Sequence, residues 1–132
     1  MGYRSDVRIR LTKKDYEKMK AQFEKEVVDI VGFNLFDEKN LDVYKELKNF
    51  SCWKMTDDGE DIEETHDCVY FGWNWVKWYD DYADVKFIME FLDECDQYAF
   101  CRIGESGEGD VETHERNMDM IGFHYVFDDE EE

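Results

Sequence analysis

The sequence predicts an α+β fold in which a mainly antiparallel sheet of about five to six strands packs against two long helices and one short helix on one face. Several short segments alternate apolar with polar side chains, and two longer segments repeat apolar side chains at helical spacing. Of the 132 residues, 42% are hydrophobic and 17% are aromatic, which is enough for one sizeable core. We therefore predict a single domain over residues 1–127 and an acidic tail over residues 128–132.

The amino-terminal segment predicts a strand followed by a helix. Residues 3–11 alternate, with mainly apolar side chains on one side and mainly arginines on the other, which is typical of a strand with one buried face. Thr12 is placed to cap the helix that follows. Apolar residues then recur at helical spacing as far as Ile30, and Gly32 is well placed to end the helix.

The middle of the chain predicts a short helix and then a hairpin. Residues 33–50 favour a second, shorter helix that starts near Asp37. A short strand is predicted over residues 52–56, and the Asp-Asp-Gly-Glu sequence at 57–60 is typical of a turn. Seven carboxylates crowd residues 57–67, so we expect a loop or a sheet edge there, not a core strand.

The rest of the chain predicts one helix among several strands. The helix should begin near Asp80 or Asp81, with Val85, Ile88 and Leu92 on one face. The predicted strands and turn are, in order, a strand at 68–79, a strand at 98–103, a glycine-rich turn at 104–110, a strand near 111–115 and a last strand at 123–127.

Acidic residues dominate the composition, and they are concentrated after residue 50. The chain carries 35 Asp/Glu and 16 Lys/Arg, a formal net charge of -19. Residues 1–50 hold 11 basic and 10 acidic side chains, whereas residues 51–132 hold 5 basic and 25 acidic ones. Because such a surface repels nucleic acid and anionic lipid, we expect neither direct nucleic-acid binding nor a membrane partner. The charge favours cations or the basic surfaces of other proteins.

Cysteine usage and the amino terminus predict a cytoplasmic protein. No apolar signal-peptide segment opens the chain, and no apolar run approaches the roughly 20 residues of a membrane span. The cysteines form no Cys-x-x-Cys pair, and we expect four reduced, mostly buried thiols. A disulfide framework is the alternative.

The sequence contains no pattern of a known catalytic or metal site, so we expect a non-enzymatic protein without a cofactor. It has no Gly-x-Ser-x-Gly elbow, and no cysteine lies in a basic context that would lower its pKa. His66-Asp67-Cys68 combines metal-ligand residue types, but its spacing matches no zinc site. We interpret residues 104–110 as a hairpin turn and not as a phosphate-binding loop, because the segment is acidic and no helical pattern follows it. An enzyme whose site assembles from distant residues stays an alternative.

Three tryptophans lie close together in the sequence. On a strand, Trp73 and Trp75 share one face and Trp78 lies on the other. One face fills the core, whereas a tryptophan left among carboxylates on the surface would anchor a basic partner. We assign that second role to Trp78.

The acidic residues also form two rows whose spacing suits a basic groove. Neighbours on one face of a strand lie roughly 6.7 Å apart, and neighbours on a helix face lie roughly 5–6 Å apart. The second row lies at the start of a predicted helix, where the helix dipole offsets part of the repulsion. The candidate partner-binding residues are Asp57, Asp58, Glu60, Asp61, Glu63, Glu64 and Asp67 in the first row, Asp80, Asp81 and Asp84 in the second, and Trp78.

Short segments of the chain resemble small acidic proteins of phages and prophages. They are Met-Gly-Tyr-Arg-Ser-Asp-Val at 1–7, Lys-Trp-Tyr at 77–79 and Phe-x-Arg-Ile-Gly-Glu at 100–105. In size, acidity and single-domain organisation the chain is similar to phage anti-restriction and anti-CRISPR proteins. That resemblance implies a protein that covers a nucleic-acid site on a host defence enzyme in the bacterial cytoplasm. The resemblance assigns no functional role to any individual residue of this chain.

Three hypotheses of function follow from charge and resemblance. The leading one is a non-enzymatic anti-defence inhibitor whose acidic surface occupies the basic nucleic-acid site of a host defence nuclease, as a DNA mimic. The first alternative is an interaction protein that uses aromatic side chains, or dimerises through the tryptophan strand, with the acidity serving solubility. The second is a binder of a small signalling nucleotide. For that ligand Arg4, Arg8 and Arg10 form the only basic cluster, although we expect them to form salt bridges with the acidic half.

Overall fold

The computed structural model describes residues 3–124 and 126–127 and is built on a five-stranded antiparallel sheet. The sheet strands are β1 (Ser5–Thr12), β2 (Asp42–Met55), β3 (Asp61–Val76), β4 (Tyr98–Gly104) and β5 (Val111–Arg116), in the spatial order β2-β3-β1-β4-β5. The helices are α1 (Lys13–Glu26), α2 (Val28–Val31) and α3 (Ala83–Asp93), with one 3₁₀ turn at Gly107–Gly109. The α+β class, with its antiparallel sheet and three helices, is confirmed.

Two hydrophobic clusters cover the two faces of the sheet. On one face, β1 and β3 pack against α1 and α3; the buried side chains there include Ile9, Leu11, Phe71, Trp73, Met19, Phe23, Ile88 and Leu92. On the other face, the later part of the chain covers the sheet; the cluster contains Cys52, Cys68, Tyr70, Ala99, Cys101, Met118, Ile121 and Phe127. Removing apolar surface from water on both faces is the main source of stability in such a fold.

Strand β1 lies in the middle of the sheet and is buried on both faces, so the prediction of one buried face is wrong. Val7 and Ile9 contribute to the helix-side cluster, as expected. On the other face Arg8 and Arg10 are only 3% and 7% exposed. Their long apolar stems can line a core while the guanidinium groups bind polar or aromatic partners.

Helix α1 begins as predicted and ends earlier than predicted. The Thr12 hydroxyl accepts a hydrogen bond from the Asp15 amide at 3.2 Å, which confirms Thr12 as the N-cap. The chain breaks at Val27, and the separate turn α2 ends at Gly32, whose φ of 81° needs glycine. Ile30 is 72% exposed and does not lie on a buried face, contrary to prediction. No helix in the described part of the chain is long and apolar enough to cross a membrane.

The predicted short helix near Asp37 is wrong, because residues 42–55 form strand β2. Register shifts interrupt its pairing with β3 between Val43 and Lys45 and again between Leu47 and Phe50. Each bulge adds a residue on one strand and resets the alternation of faces. Tyr44, Leu47 and Phe50 therefore pack into one cluster although they are three residues apart, a spacing that resembles a helix.

Strand β3 begins earlier than predicted, inside the acidic segment. The turn at 57–60 is confirmed: the Thr56 amide donates to the Glu60 carbonyl at 2.8 Å, and Gly59 has a φ of 81°. From Asp61 onward the chain is already extended and pairs with β2. The strand ends at Val76, three residues before the predicted end.

The later elements mostly match prediction. Strand β4, the turn from Gly104 to Asp110 and strand β5 form the expected hairpin. Helix α3 buries Val85, Ile88 and Leu92 as predicted, but it begins at Ala83 after Tyr82, so neither Asp80 nor Asp81 caps it. The last predicted strand instead forms a two-stranded ribbon, β6 (Phe123–His124) and β7 (Val126–Phe127), separate from the main sheet. The predicted tail at 128–132 lies outside the described residues.

Candidate functional site

The β2–β3 hairpin extends beyond its neighbouring strand as an acidic arm. Strand β3 pairs with β1 from Val76 back to Cys68, whereas its pairing with β2 continues to the Met55–Asp61 pair. We call residues 50–66 the hairpin arm. Its paired strands are about 17 Å long, from five residue steps of about 3.4 Å each. The inner part of the arm is packed, since Cys52 is fully buried and the Trp53 amide donates to the Asn117 carbonyl at 2.9 Å. The outer part, residues 54–63, is mostly exposed.

The arm brings together most of the first predicted acidic row. Five of the six carboxylates on the arm are exposed, and Glu64 is partly buried. The six residues are Asp57, Asp58 and Glu60 in the turn, Asp61 and Glu63 on one face of β3, and Glu64 on the other face. Between residues 50 and 67, Lys54 is the only lysine or arginine, so the negative charge of this surface is almost uncompensated.

Apolar side chains lie among these carboxylates. Trp53 pairs with Glu63, and Met55 pairs with Asp61, so one face of the arm mixes apolar and acidic groups. Met55 is 62% exposed, and Trp53 is partly buried. An apolar anchor surrounded by charged groups is typical of a protein-binding hot spot. Trp53 is not among the predicted partner-binding residues, although its position just before the acidic turn was an available signal.

Two carboxylates of the first row form hydrogen bonds within the protein, although Asp67 is exposed and Glu64 is only partly buried. Glu64 Oε2 lies 3.0 Å from His66 Nε2 and accepts a hydrogen bond from Gln97, and the contact with His66 is the main cause that lowers the pKa of Glu64. Asp67, at the base of the arm, accepts hydrogen bonds from the Asn49 amide at 3.2 Å and from a lysine ammonium. The Asn49 bond is the main cause that lowers the pKa of Asp67. Glu64 thus connects the arm to the segment before β4, and Asp67 connects β3 to β2 at the base of the arm.

The second acidic row does not adjoin the first, and one of its members is not on the surface. Asp80 and Asp81 are exposed beyond the far end of β3, a strand of 16 residues that is up to about 50 Å long. Asp84 is 5% exposed and accepts a hydrogen bond from the Val85 amide at 2.9 Å. We therefore remove Asp84 from the predicted partner surface.

The exposure of Trp75 and Trp78 is the reverse of the prediction. Trp78 is 8% exposed and packs against Trp73 and Phe100, with ring centroids 5.7 and 6.0 Å away, so it cannot anchor a partner. Trp75 is 61% exposed and has a φ of 57°. This positive φ ends the alternation of faces, and Trp75 therefore does not share the buried face of Trp73.

The predicted arginine cluster is also divided. Arg8 donates to Asn74 Oδ1 at 2.7 Å, and its guanidinium carbon lies 4.2 Å from the centre of the Tyr44 ring. Arg10 donates to the Asp119 carbonyl at 2.7 Å. Both are buried between the sheet and its covering segment, so neither can bind a nucleotide from solution.

The four cysteines are free and buried, as expected. Burial raises the pKa of Cys95 to about 12 and that of Cys101 to about 11. Cys52 is different, because a hydrogen bond with the Cys68 thiol lowers its pKa. The main cause of this lowering is the neighbouring thiol and not a basic side chain. In the described residues, no group of three or more His, Cys, Asp or Glu side chains is arranged to hold a metal ion.

Replacing Asp84 with asparagine should stabilise the protein at neutral pH but not in acid. Burial is the main cause that raises the pKa of Asp84, so between the unfolded and the folded pKa the folded state keeps a proton that the unfolded state releases. Stability contributed by this group is therefore present below the unfolded pKa and is lost as the pH rises through the folded pKa. The gain of Asp84→Asn in free energy of unfolding should be largest near about pH 7 and shrink on acidification.

Urea denaturation of the wild-type protein and of Asp84→Asn at several pH values measures how the gain in free energy of unfolding depends on pH. Exposed Asp81 supplies the matched control, and Asp81→Asn should show no such trend. A gain for Asp84→Asn that is the same at all pH values would contradict the assignment of a buried, proton-binding carboxyl group.

Comparison with known proteins found no matching family model, no matching curated protein and no matching solved structure.

Proposed function

We propose that this protein is a non-enzymatic anti-defence inhibitor whose hairpin arm occupies the basic nucleic-acid site of a host defence nuclease in the bacterial cytoplasm. The observation that supports the proposal is the projecting arm, which carries six carboxylates and one lysine. A basic groove attracts such a surface strongly over a distance of about 10 Å at ordinary salt.

The geometry of the arm favours a groove as its binding site. Same-face carboxylates such as Asp61 and Glu63 are about 6.7 Å apart, on a rigid paired hairpin. Each strand of duplex DNA carries one phosphate per about 3.4 Å of helix axis. The distance covered by two residue steps along the arm is therefore about the distance covered by two phosphate steps along a DNA strand. This match supports mimicry of DNA.

The aromatic alternative has one observation in its favour. Trp53, Met55 and the half-exposed Ile62 place apolar surface on the same arm. A partner that binds through these side chains would be insensitive to salt. Dimerisation through the tryptophan strand has less support, because Trp73 and Trp78 are buried.

Reversing the charge of Glu60, Asp61 and Glu63 to lysine should weaken partner binding by at least about tenfold while the fold stays intact. All three side chains are exposed, and Glu64 is left unchanged because it holds the arm to Gln97. The tagged protein is used to capture partners from nuclease-treated bacterial lysate. The captured protein is then purified and its affinity measured at low and moderate salt, with and without duplex DNA.

The matched control reverses Glu24, Glu26 and Asp29, which are exposed on α1 and α2. It changes the net charge equally without touching the arm. Support requires a nucleic-acid-processing partner that competes with DNA, dissociates with salt, and is lost only from the arm variant. Equal loss from both variants, or binding that resists salt, would contradict the proposal; the second result would favour the aromatic alternative.

A further inference from the structure

A cavity of about 780 Å³ lies at the far end of β3 from the arm. Four of the large apolar side chains that are exposed in the described residues line it, namely Trp75, Tyr82, Phe33 and Ile30. Single exposed apolar side chains are normal, but a group of them around one concavity marks a binding site. The volume lies within the range of about 300–1,000 Å³ that is usual for small-ligand pockets.

The cavity is also lined by three cationic side chains, although the chain has more than twice as many acidic as basic residues. Among the described residues, the ammonium groups of Lys39 and Lys77 form no ion pair. The side chain of Arg4 donates to the Trp75 carbonyl at 3.0 Å and has no carboxylate partner in that part of the chain. Two carboxyl groups, those of Asp81 and Asp84, also line the cavity, so its lining keeps an excess of cationic side chains, none of which forms an ion pair in the described residues. This excess favours an anionic ligand.

Trp75 is held in its exposed position by contacts that have no role in the core. Its φ of 57° is uncommon for a bulky residue and costs about 1–3 kcal/mol. The Trp75 amide donates to Asp6 Oδ1 at 2.8 Å, and the Trp75 carbonyl accepts from Arg4. The surrounding side chains thus maintain a strained backbone that leaves an exposed indole ring in the lining of the cavity. Such a ring offers a face on which a planar group can stack.

The inner wall contributes one buried carboxyl group. Asp84 lines the cavity and is 5% exposed. In the described residues its hydrogen bonds come from backbone amides, that of Val85 among them, and no cationic side chain pairs with it. A carboxylate with acceptor capacity left in an aromatic pocket suits a ligand that carries N–H donors.

We propose that this cavity binds a guanine nucleotide, with the base stacked on Trp75 and hydrogen-bonded through its N–H groups to Asp84, and with the phosphate held by Arg4, Lys39 and Lys77. Guanine presents a ring N–H and an amino group side by side, which a carboxylate accepts together. The proposal does not depend on the arm, because the cavity lies at the other end of β3. The same chemistry occurs in a free nucleotide and at the 5′ end of an oligonucleotide. The acidic surface of the chain favours the free form.

Isothermal titration with GMP tests the proposal, with guanosine and ribose 5-phosphate as probes that each lack one half of the ligand. GMP should bind saturably at concentrations below about 1 mM and at least tenfold more tightly than either half. Trp75→Ala and Asp84→Asn should each weaken GMP binding at least tenfold. The double variant Lys39→Gln/Lys77→Gln should weaken binding of GMP but not of guanosine.

The matched control is Trp53→Ala, which removes a tryptophan from the arm and should leave GMP binding unchanged. Circular dichroism of every variant shows whether it is folded. No saturable binding of GMP to the wild-type chain, or binding that Trp75→Ala leaves unchanged in a folded protein, would overturn the proposal. Tighter binding of a 5′-phosphorylated guanine oligonucleotide than of GMP would overturn the assignment to a free nucleotide.

Discussion

Replacing Gly72 with alanine should destabilise the protein by at least about 3 kcal/mol. Gly72 lies in β3 opposite Arg8 of β1, close to the register shift between Ser5 and Val7. A β-carbon at this position would overlap the Val7 carbonyl oxygen and would lie 3.0 Å from Arg8 Cδ. The first contact is with backbone in the centre of the sheet, which cannot move aside without breaking strand pairing. Glycine inside a strand often marks such a close approach.

The absence of a side chain at Gly72 also makes room for Arg8. The Arg8 guanidinium donates to the Trp73 carbonyl at 3.1 Å and reaches Asn74 on the same strand. Alanine at position 72 would therefore displace a buried cation from its acceptors, which adds to the cost of the backbone overlap.

Urea denaturation followed by circular dichroism measures the effect, with Gly109→Ala as the control. Nothing lies within 4 Å of a β-carbon at Gly109, which is exposed, so that change should alter the free energy of unfolding by no more than about 0.5 kcal/mol. If Gly72→Ala and Gly109→Ala changed the free energy of unfolding equally, the backbone of β1 would not lie in contact distance of a β-carbon at Gly72.

Helices and strands could be predicted from the sequence where the spacing of their apolar residues matches the regular period of a helix or a strand. Helix α3 places Val85, Ile88 and Leu92 on one buried face, and the Thr12 cap marks the start of α1. Strand β2 could not be predicted, since its two bulges place Tyr44, Leu47 and Phe50 in one cluster at intervals of three residues. A rule based on a period of two residues fails wherever a bulge inserts a residue.

The candidate sites were only partly visible in the sequence, because burial depends on which strand becomes central. The composition of residues 57–67 indicated an exposed acidic segment, and the arm is such a segment. The alternation of β1 suggested that Arg8 faces solvent, but the covering segment buries it. The positive φ of Trp75 has no signature in residue type, so neither the exposure of Trp75 nor the burial of Trp78 followed from the pattern. The cavity joins Arg4, Lys39 and Lys77, which are distant in sequence.

Trp73 has the largest fully buried side chain in the helix-side cluster, and Trp73→Ala should destabilise the protein by about 3–5 kcal/mol. Its ring centroid lies 5.7 Å from that of Phe36 and 5.8 Å from that of Phe71. Its indole N–H donates to the Leu35 carbonyl at 2.8 Å. The side chain therefore holds the irregular segment between α2 and β2 against the sheet, and its removal leaves both a cavity and an unpaired carbonyl group.

Two further substitutions separate these causes. Trp73→Phe keeps an aromatic ring but loses the hydrogen bond to Leu35, so its cost should be smaller, about 1–3 kcal/mol. Trp75→Ala, two residues along the same strand, should cost no more than about 0.5 kcal/mol because its side chain is exposed. Urea denaturation of the three variants ranks their losses in free energy of unfolding directly. If Trp75→Ala were as destabilising as Trp73→Ala, Trp75 would be a core residue, and the proposed nucleotide cavity would lose its stacking surface. The expected order instead leaves Trp75 free to bind a ligand in a protein that Trp73 holds together.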